Sequence, residues 1–250
     1  MKKKKLIAGN WKMNGDVALA QTIVDGIKDA ADQSNHDVVI APPFVYLPQV
    51  ALWTKESNIQ LSAQNLAKFD QGAYTGEVSG KMLKDIGCQY VLVGHSERRQ
   101  YFGETNEIVA EKVDFALKNG LTPILCVGET LEERESDAWK SVIEAQLESV
   151  VKLIGIEAFN NVVVAYEPVW AIGTGKSASA EIANEVHAFI FCTLTGKSDS
   201  IRDSLRILYG GSVTADNSAQ YMAMSHIDGV LVGGASLKPD AFSQIIRSVE

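Results

Sequence analysis

The chain has 250 residues, 46% of them apolar and 22% charged, which is an ordinary globular composition and enough length to enclose one large core. A formal net charge of −8 excludes a broadly basic nucleic-acid-binding surface, and no stretch approaches the length of a membrane span. Cys88, Cys126 and Cys192 are odd in number and widely spaced, with no C-x-x-C pair, so free thiols in a reducing, cytoplasmic compartment are expected rather than a disulfide framework.

The basic run Lys2 to Lys5 is followed by only Leu6-Ile7-Ala8, too short an apolar segment for a signal peptide, and reads as a solvated strand entry. A first strand over 6–11 leads into Gly9-Asn10-Trp11-Lys12-Met13-Asn14-Gly15. There Lys12 either holds an anion or is a solvated lysine before an Asn-Gly turn. A helix over 18–32 precedes strands over 38–41 and 59–63. The segment 64–77, from Gln64 and Asn65 to Glu77, is long for a connection in a compact domain; with Phe69 and Tyr74 in it, it reads as a protruding contact loop or a mobile excursion.

A strand over 90–93 runs into Gly94-His95-Ser96-Glu97-Arg98-Arg99. Ser96 is expected to cap a short helix, and a histidine at a helix N-terminus is disfavoured as imidazolium, leaving a neutral ring able to polarise a carbonyl. His36, His187 and His226 have no metal-ligand spacing to it or to one another, so no metal site is expected.

After a helix over 107–119, a strand over 122–127 and a helix over 138–153, a β-branched strand over 162–166 ends in the most informative stretch. It reads Tyr166-Glu167-Pro168-Val169-Trp170-Ala171-Ile172-Gly173-Thr174-Gly175-Lys176. Pro168 keeps Glu167 out of helical geometry, Val169, Trp170 and Ile172 can exclude water, and Gly173 and Gly175 open backbone N–H groups to an anion. Gly173 to Ser177 resembles the tail of a P-loop, but Trp170 stands where that motif needs glycine. The dinucleotide fingerprint over 173–178 starts too far from its strand. A helix over 180–195 follows. Strands over 206–209 and 229–232 each run into a glycine pair, Tyr209-Gly210-Gly211-Ser212 and Val232-Gly233-Gly234-Ala235-Ser236, and a helix over 241–249 closes the chain.

Alternating strands and helices imply a parallel sheet with right-handed crossovers. Between an open doubly wound sheet and a closed barrel, the count of eight strands and the length favour a single (β/α)8 barrel domain over 1–250. In such a barrel the strand ends carry the chemistry, and two Gly-Gly pairs after the last strands, near Gly173 and Gly175, suit a phosphate.

Assembled, these segments resemble the triosephosphate isomerase family. The motifs are Gly9-Asn10-Trp11-Lys12, Gly94 to Arg99, Ala165 to Lys176, and Tyr209-Gly210-Gly211-Ser212, in this order, and the likeness covers nearly the whole chain. The resemblance implies interconversion of dihydroxyacetone phosphate and D-glyceraldehyde 3-phosphate without any cofactor or metal. It implies Glu167 as the base, His95 as the neutral electrophile, Lys12 and Asn10 on the substrate oxygens, and Glu97 orienting Lys12. Gly173, Ser212, Gly233 and Gly234 would hold the phosphate beneath a lid over 168–178 that takes in Pro168, Val169, Trp170, Ala171, Ile172, Thr174, Gly175, Lys176, Ser177 and Ala178. It further implies a homodimer in which Thr75 supports the partner's site and Glu77 pairs with Arg98 across subunits. Tyr74 stands where phenylalanine is common, and Ser177 stands where threonine is common, so that a looser lid hinge is expected at Ser177. A Schiff-base aldolase would want a lysine inside a strand and a metal-dependent epimerase a His/Asp cluster, and neither pattern is present. A non-catalytic phosphate-binding or scaffold protein would be expected to lose Glu167 or His95.

Overall fold

The structure, a computed structural model, describes residues 3–172 and 177–249. Eight parallel strands pair in chain order and close into a barrel: β1 (Leu6–Asn10), β2 (Asp37–Ala41), β3 (Ile59–Ala63), β4 (Tyr90–Val93), β5 (Thr122–Val127), β6 (Val163–Tyr166), β7 (Arg206–Tyr209) and β8 (Gly229–Val232). The register Leu6↔Gly229 to Gly9↔Val232 joins the last strand to the first. The strand expectations hold to within a residue at each end. The expected helix over 241–249 lies at Pro239–Arg247, because Pro239 starts it in the first turn, where a missing N–H costs nothing. Short helices that the apolar pattern did not announce include Leu47–Thr54 and Gly80–Asp85.

Two apolar layers follow from the two periodicities of the sequence. The helix Val17–Gln33 buries Ala20, Ile23, Val24, Ile27, Ala30 and Ala31, a stripe at helical spacing, against the outside of the strands. Alternate strand residues fill the barrel: Leu6 and Ala8, Tyr90 and Leu92, Ile124 and Cys126, Val163 and Ala165, Leu208, Leu231. Continuing the same alternation by one step sets Asn10 above Ala8, Glu167 above Ala165, Gly210 above Leu208 and Gly233 above Leu231, and all four line one cleft at the barrel mouth. The register that buries the core therefore also aims the polar strand ends. Cys126 is packed in the barrel interior, Cys88 is buried with its thiol pushed up to about 12 by burial, and Cys192 is exposed; all three are free.

Among the described residues no helix is long and apolar enough to cross a membrane.

Candidate active site

Glu167 is locked at its backbone before its side chain is considered. Its N–H donates to Val127 O at 2.8 Å, and Gly210 N–H donates to Tyr166 O at 2.7 Å. A Cβ on Gly128 would sit 1.8 Å from Glu167 O, and one on Gly210 would sit 3.0 Å from Glu167 Cγ. These two glycines are required by close approach rather than by turn geometry. The carboxylate is 2% exposed. One oxygen accepts from Ser96 N–H at 2.9 Å and the other lies 3.0 Å from His95 Nε2.

His95 follows Gly94, whose φ of +72° turns the chain off β4 toward the mouth. The N-cap of the helix Ser96–Phe102 is His95 itself and not Ser96: Glu97 N–H donates to His95 Nδ1 at 3.2 Å. A nitrogen that accepts carries no proton, so this contact leaves the ring hydrogen on Nε2, toward Glu167. Burial works against a charged ring, but the Glu167 carboxylate, helped by Glu97, outweighs it and holds the His95 pKa above its ordinary value in this resting arrangement. The sequence expectation of a neutral ring counted only the helix terminus and omitted this neighbour. For Glu167, burial favours the protonated form, but His95, the Ser96 amide and Lys12 prevail and hold its carboxyl below the usual range.

Lys12 has φ 53°, the left-handed region that a side chain enters at a cost of about 1–2 kcal/mol. Asn10 Oδ1 accepts its N–H at 3.0 Å and Gln64 Nε2 donates to its carbonyl at 2.8 Å, which fixes this backbone. The strained geometry sends Nζ to Glu97 Oε1 at 2.5 Å, beside His95. Asn10, Lys12, His95 and Glu167 share a cleft of about 650 Å³ with Ser212, Gly233 and Gly234.

Pro168, Val169, Trp170, Ala171 and Ile172 leave the barrel as a 3-10 turn from Val169 to Ala171. Trp170 Nε1 and Tyr166 Oη both donate to Glu129 Oε1, at 3.0 and 2.9 Å, and Ser212 Oγ donates to Ala171 O at 3.0 Å. Glu129, fully buried two residues beyond β5, is a functional candidate absent from the strand-end expectations; burial raises its pKa against the Trp170 and Tyr166 bonds. Its position alone, a carboxylate two residues beyond a strand, was the available signal. Ile172 and Ser177 line the cleft, and Ala178 is buried with its carbonyl accepting from Tyr221 Oη at 2.7 Å. Gly173, Thr174, Gly175 and Lys176 lie outside the described residues.

The long segment after β3 is ordered around a stacked pair, Phe69 and Tyr74, with ring centroids 3.9 Å apart. Thr75 and Glu77 are exposed on it, away from this chain's cleft, whereas Arg98 Nε is engaged by Glu104 Oε1 at 2.5 Å within the chain. Asn65 also turns from the cleft and accepts from Lys112 Nζ at 2.7 Å.

A model of the triosephosphate isomerase family matches residues 5–249. The chain is 52% identical over 245 residues to the triosephosphate isomerase of Hydrogenovibrio crunogenus, covering 97% of this chain and 96% of that protein. It is 49% identical over 247 residues to those of Shewanella sp. (strain MR-4) and Shewanella baltica (strain OS155), covering 96% of this chain and 95% of each relative.

Proposed function

The chain belongs to the triosephosphate isomerase family and interconverts dihydroxyacetone phosphate and D-glyceraldehyde 3-phosphate, and we propose that Glu167, His95, Lys12 and Asn10 carry the reaction. The carrying observation is the buried contact of 3.0 Å between Glu167 Oε1 and His95 Nε2 in a cleft that also holds Lys12. Glu167 takes the carbon-bound proton, the released electron pair forms the enediolate, and the proton returns to the neighbouring carbon. This requires the carboxylate to leave Ser96 N–H and turn to the substrate. The counter-charge on His95 then departs while the Glu97 amide remains on Nδ1, so the ring serves as a neutral Nε2–H donor that moves a proton between the two substrate oxygens. Lys12, oriented by Glu97, and Asn10 stabilise the developing charge. Ser212, Gly233, Gly234 and Gly173 hold the phosphate by backbone N–H groups. The segment 168–178 closes over the enediolate, suppressing phosphate loss and removing water from the base. Acid–base tuning and loop gating of this kind are general knowledge for this family.

Interconversion is expected at full rate in a coupled assay containing a chelator, since only protein dipoles and charges act on the enediolate. A folded protein that is inactive, or active only with added metal, would overturn this reading in favour of phosphate binding without catalysis.

We further infer a homodimer, one domain over 1–250 per subunit, in the cytoplasm, where free thiols persist. Met13 (95% exposed), Val45, Met82 and Phe102 follow β1, β2, β3 and β4, neighbours in the barrel, so exposed apolar side chains gather on one side of its rim together with Thr75 and Glu77. Phe102→Glu is expected to shift the species in sedimentation from dimer toward monomer and to lower activity in parallel. An unchanged sedimentation coefficient would place the interface elsewhere.

A further inference from the structure

We propose that Arg99 is a positioning residue for catalysis, whose guanidinium ties the end of β4 to the end of β5 and so holds His95 and Glu167 in place at the cleft. The inference rests on the reading of His95 and Glu167 as the reacting pair. The β4–β5 ladder runs from Tyr90↔Thr122 to Val93↔Leu125. One step further, Gly94 turns away with φ +72°, and the β4–β5 register ends before Gly94 and Cys126, although Cys126 stays paired with Ala165 on its other side. Arg99 takes both: Nε donates to Gly94 O at 2.9 Å and one terminal nitrogen donates to Cys126 O at 3.3 Å. The other terminal nitrogen donates to Asn106 Oδ1 at 2.7 Å.

Each captured peptide is next to the chemistry. Gly94 immediately precedes His95. Cys126 precedes Val127, whose carbonyl accepts the Glu167 N–H at 2.8 Å. The fork lies against the bare Gly94 backbone, where an added Cβ would come within 3.1 Å of the guanidinium. A planar group with donors in fixed directions can span three acceptors on two strand ends and a helix start; an ammonium cannot.

The charge adds a second effect. Among the described residues, the three hydrogen-bond acceptors of Arg99 are all uncharged, and the carboxylates of Glu167 and Glu104 act on it through space. Burial presses its pKa down, while Cys126, Glu167 and Glu104 bear on it in the opposite sense. The groups that face Glu167 are His95 from the end of β4, the Ser96 amide from the helix that follows, Lys12 from beyond β1, and Cys126 of β5 with Arg99 behind it. A cation here favours the ionised base, so its removal raises the pH at which Glu167 protonates.

The test is steady-state kinetics across pH on the full-length protein with Arg99→Lys and Arg99→Gln. Both variants are expected to lose on the order of 10- to 100-fold in kcat with KM little changed, because the fork is lost in each. The acid limb of kcat/KM should move toward neutral pH in Arg99→Gln and stay in place in Arg99→Lys. Asn106→Leu, which frees one arm of the fork and leaves the charge, should lower kcat without moving the limb, and it answers the question if Arg99→Gln fails to fold. Wild-type kcat in folded Arg99→Lys and Asn106→Leu, with only a lowered melting temperature, would make Arg99 purely structural and overturn the proposal. Activity that is lost in Glu167→Gln yet intact in these variants would overturn the Arg99 role alone.

Discussion

Glu167→Gln is expected to lower kcat by about 10²–10⁴-fold with KM nearly unchanged. Glutamine keeps the volume and retains an oxygen for the Ser96 N–H, so the barrel mouth survives, although its NH2 then faces the His95 Nε2–H and that contact is lost. What disappears is the lone pair basic enough to take a proton from carbon. The loss is confined to the transition state, so it falls on kcat and not on binding. Glu167→Asp keeps the base and withdraws it by one methylene, which separates position from basicity; it should fall between wild type and the amide. The pH dependence carries a definite sign. Despite burial of both groups, His95, the Ser96 amide and Lys12 hold the free carboxyl below its ordinary range while Glu167 raises the pKa of His95, so kcat/KM falls on the acid side first as the ring takes a proton and then as the base protonates. Steady-state kinetics in both directions, with circular dichroism to show an intact fold, decide the matter. An amide variant within about tenfold of wild type would remove Glu167 from the role of base.

The parts of this site that were legible in the sequence are those that one strand and its own turn determine. Glu167 stands at the end of a β-branched run before a proline, and the period of two that buries Val163 and Ala165 also raises Glu167 over the mouth. His95 is visible in the same way, as the residue at which β4 gives over to a helix. Groups whose role depends on a partner far along the chain were not legible. Glu129 gains meaning only when Tyr166 and Trp170 reach it, and Arg99 only when its fork reaches the ends of β4 and β5. The cap at Ser96 was misread because serine is the common cap and an imidazole acceptor is not, although the amide that needed a partner lies two residues beyond His95. Asn65 stands at a strand end facing the mouth, yet Lys112, 47 positions away, draws its side chain elsewhere. The short helices after β2 and β3 lack the several turns over which an apolar stripe becomes recognisable.

Lys12 ties backbone strain to catalysis, and two substitutions separate them. Lys12→Met preserves the length of the stem and deletes the charge. The loss of one cation that acts on both the substrate anion and the developing oxyanion is expected to cost at least 10²–10³-fold in kcat/KM, expressed in KM as well as kcat. Glu97 is then left without its counter-ion beside His95, which adds to the loss. Lys12→Gly deletes the same charge and also relieves the left-handed backbone at φ 53°. The strain released, about 1–2 kcal/mol, is offset by about 0.5–1 kcal/mol of added freedom in the unfolded chain. The ion pair with Glu97 is partly solvated and contributes little to folding. Lys12→Gly should therefore melt at or above the wild-type temperature while being as inactive as Lys12→Met, and Lys12→Met, which keeps the strain, should melt at or below it. Thermal denaturation of the three proteins side by side reads this directly. A glycine variant that melts well below the methionine variant would mean that the left-handed geometry is not strained in place. The retention of a side chain at this position would then have to be explained by packing rather than by the need to deliver a charge to the cleft.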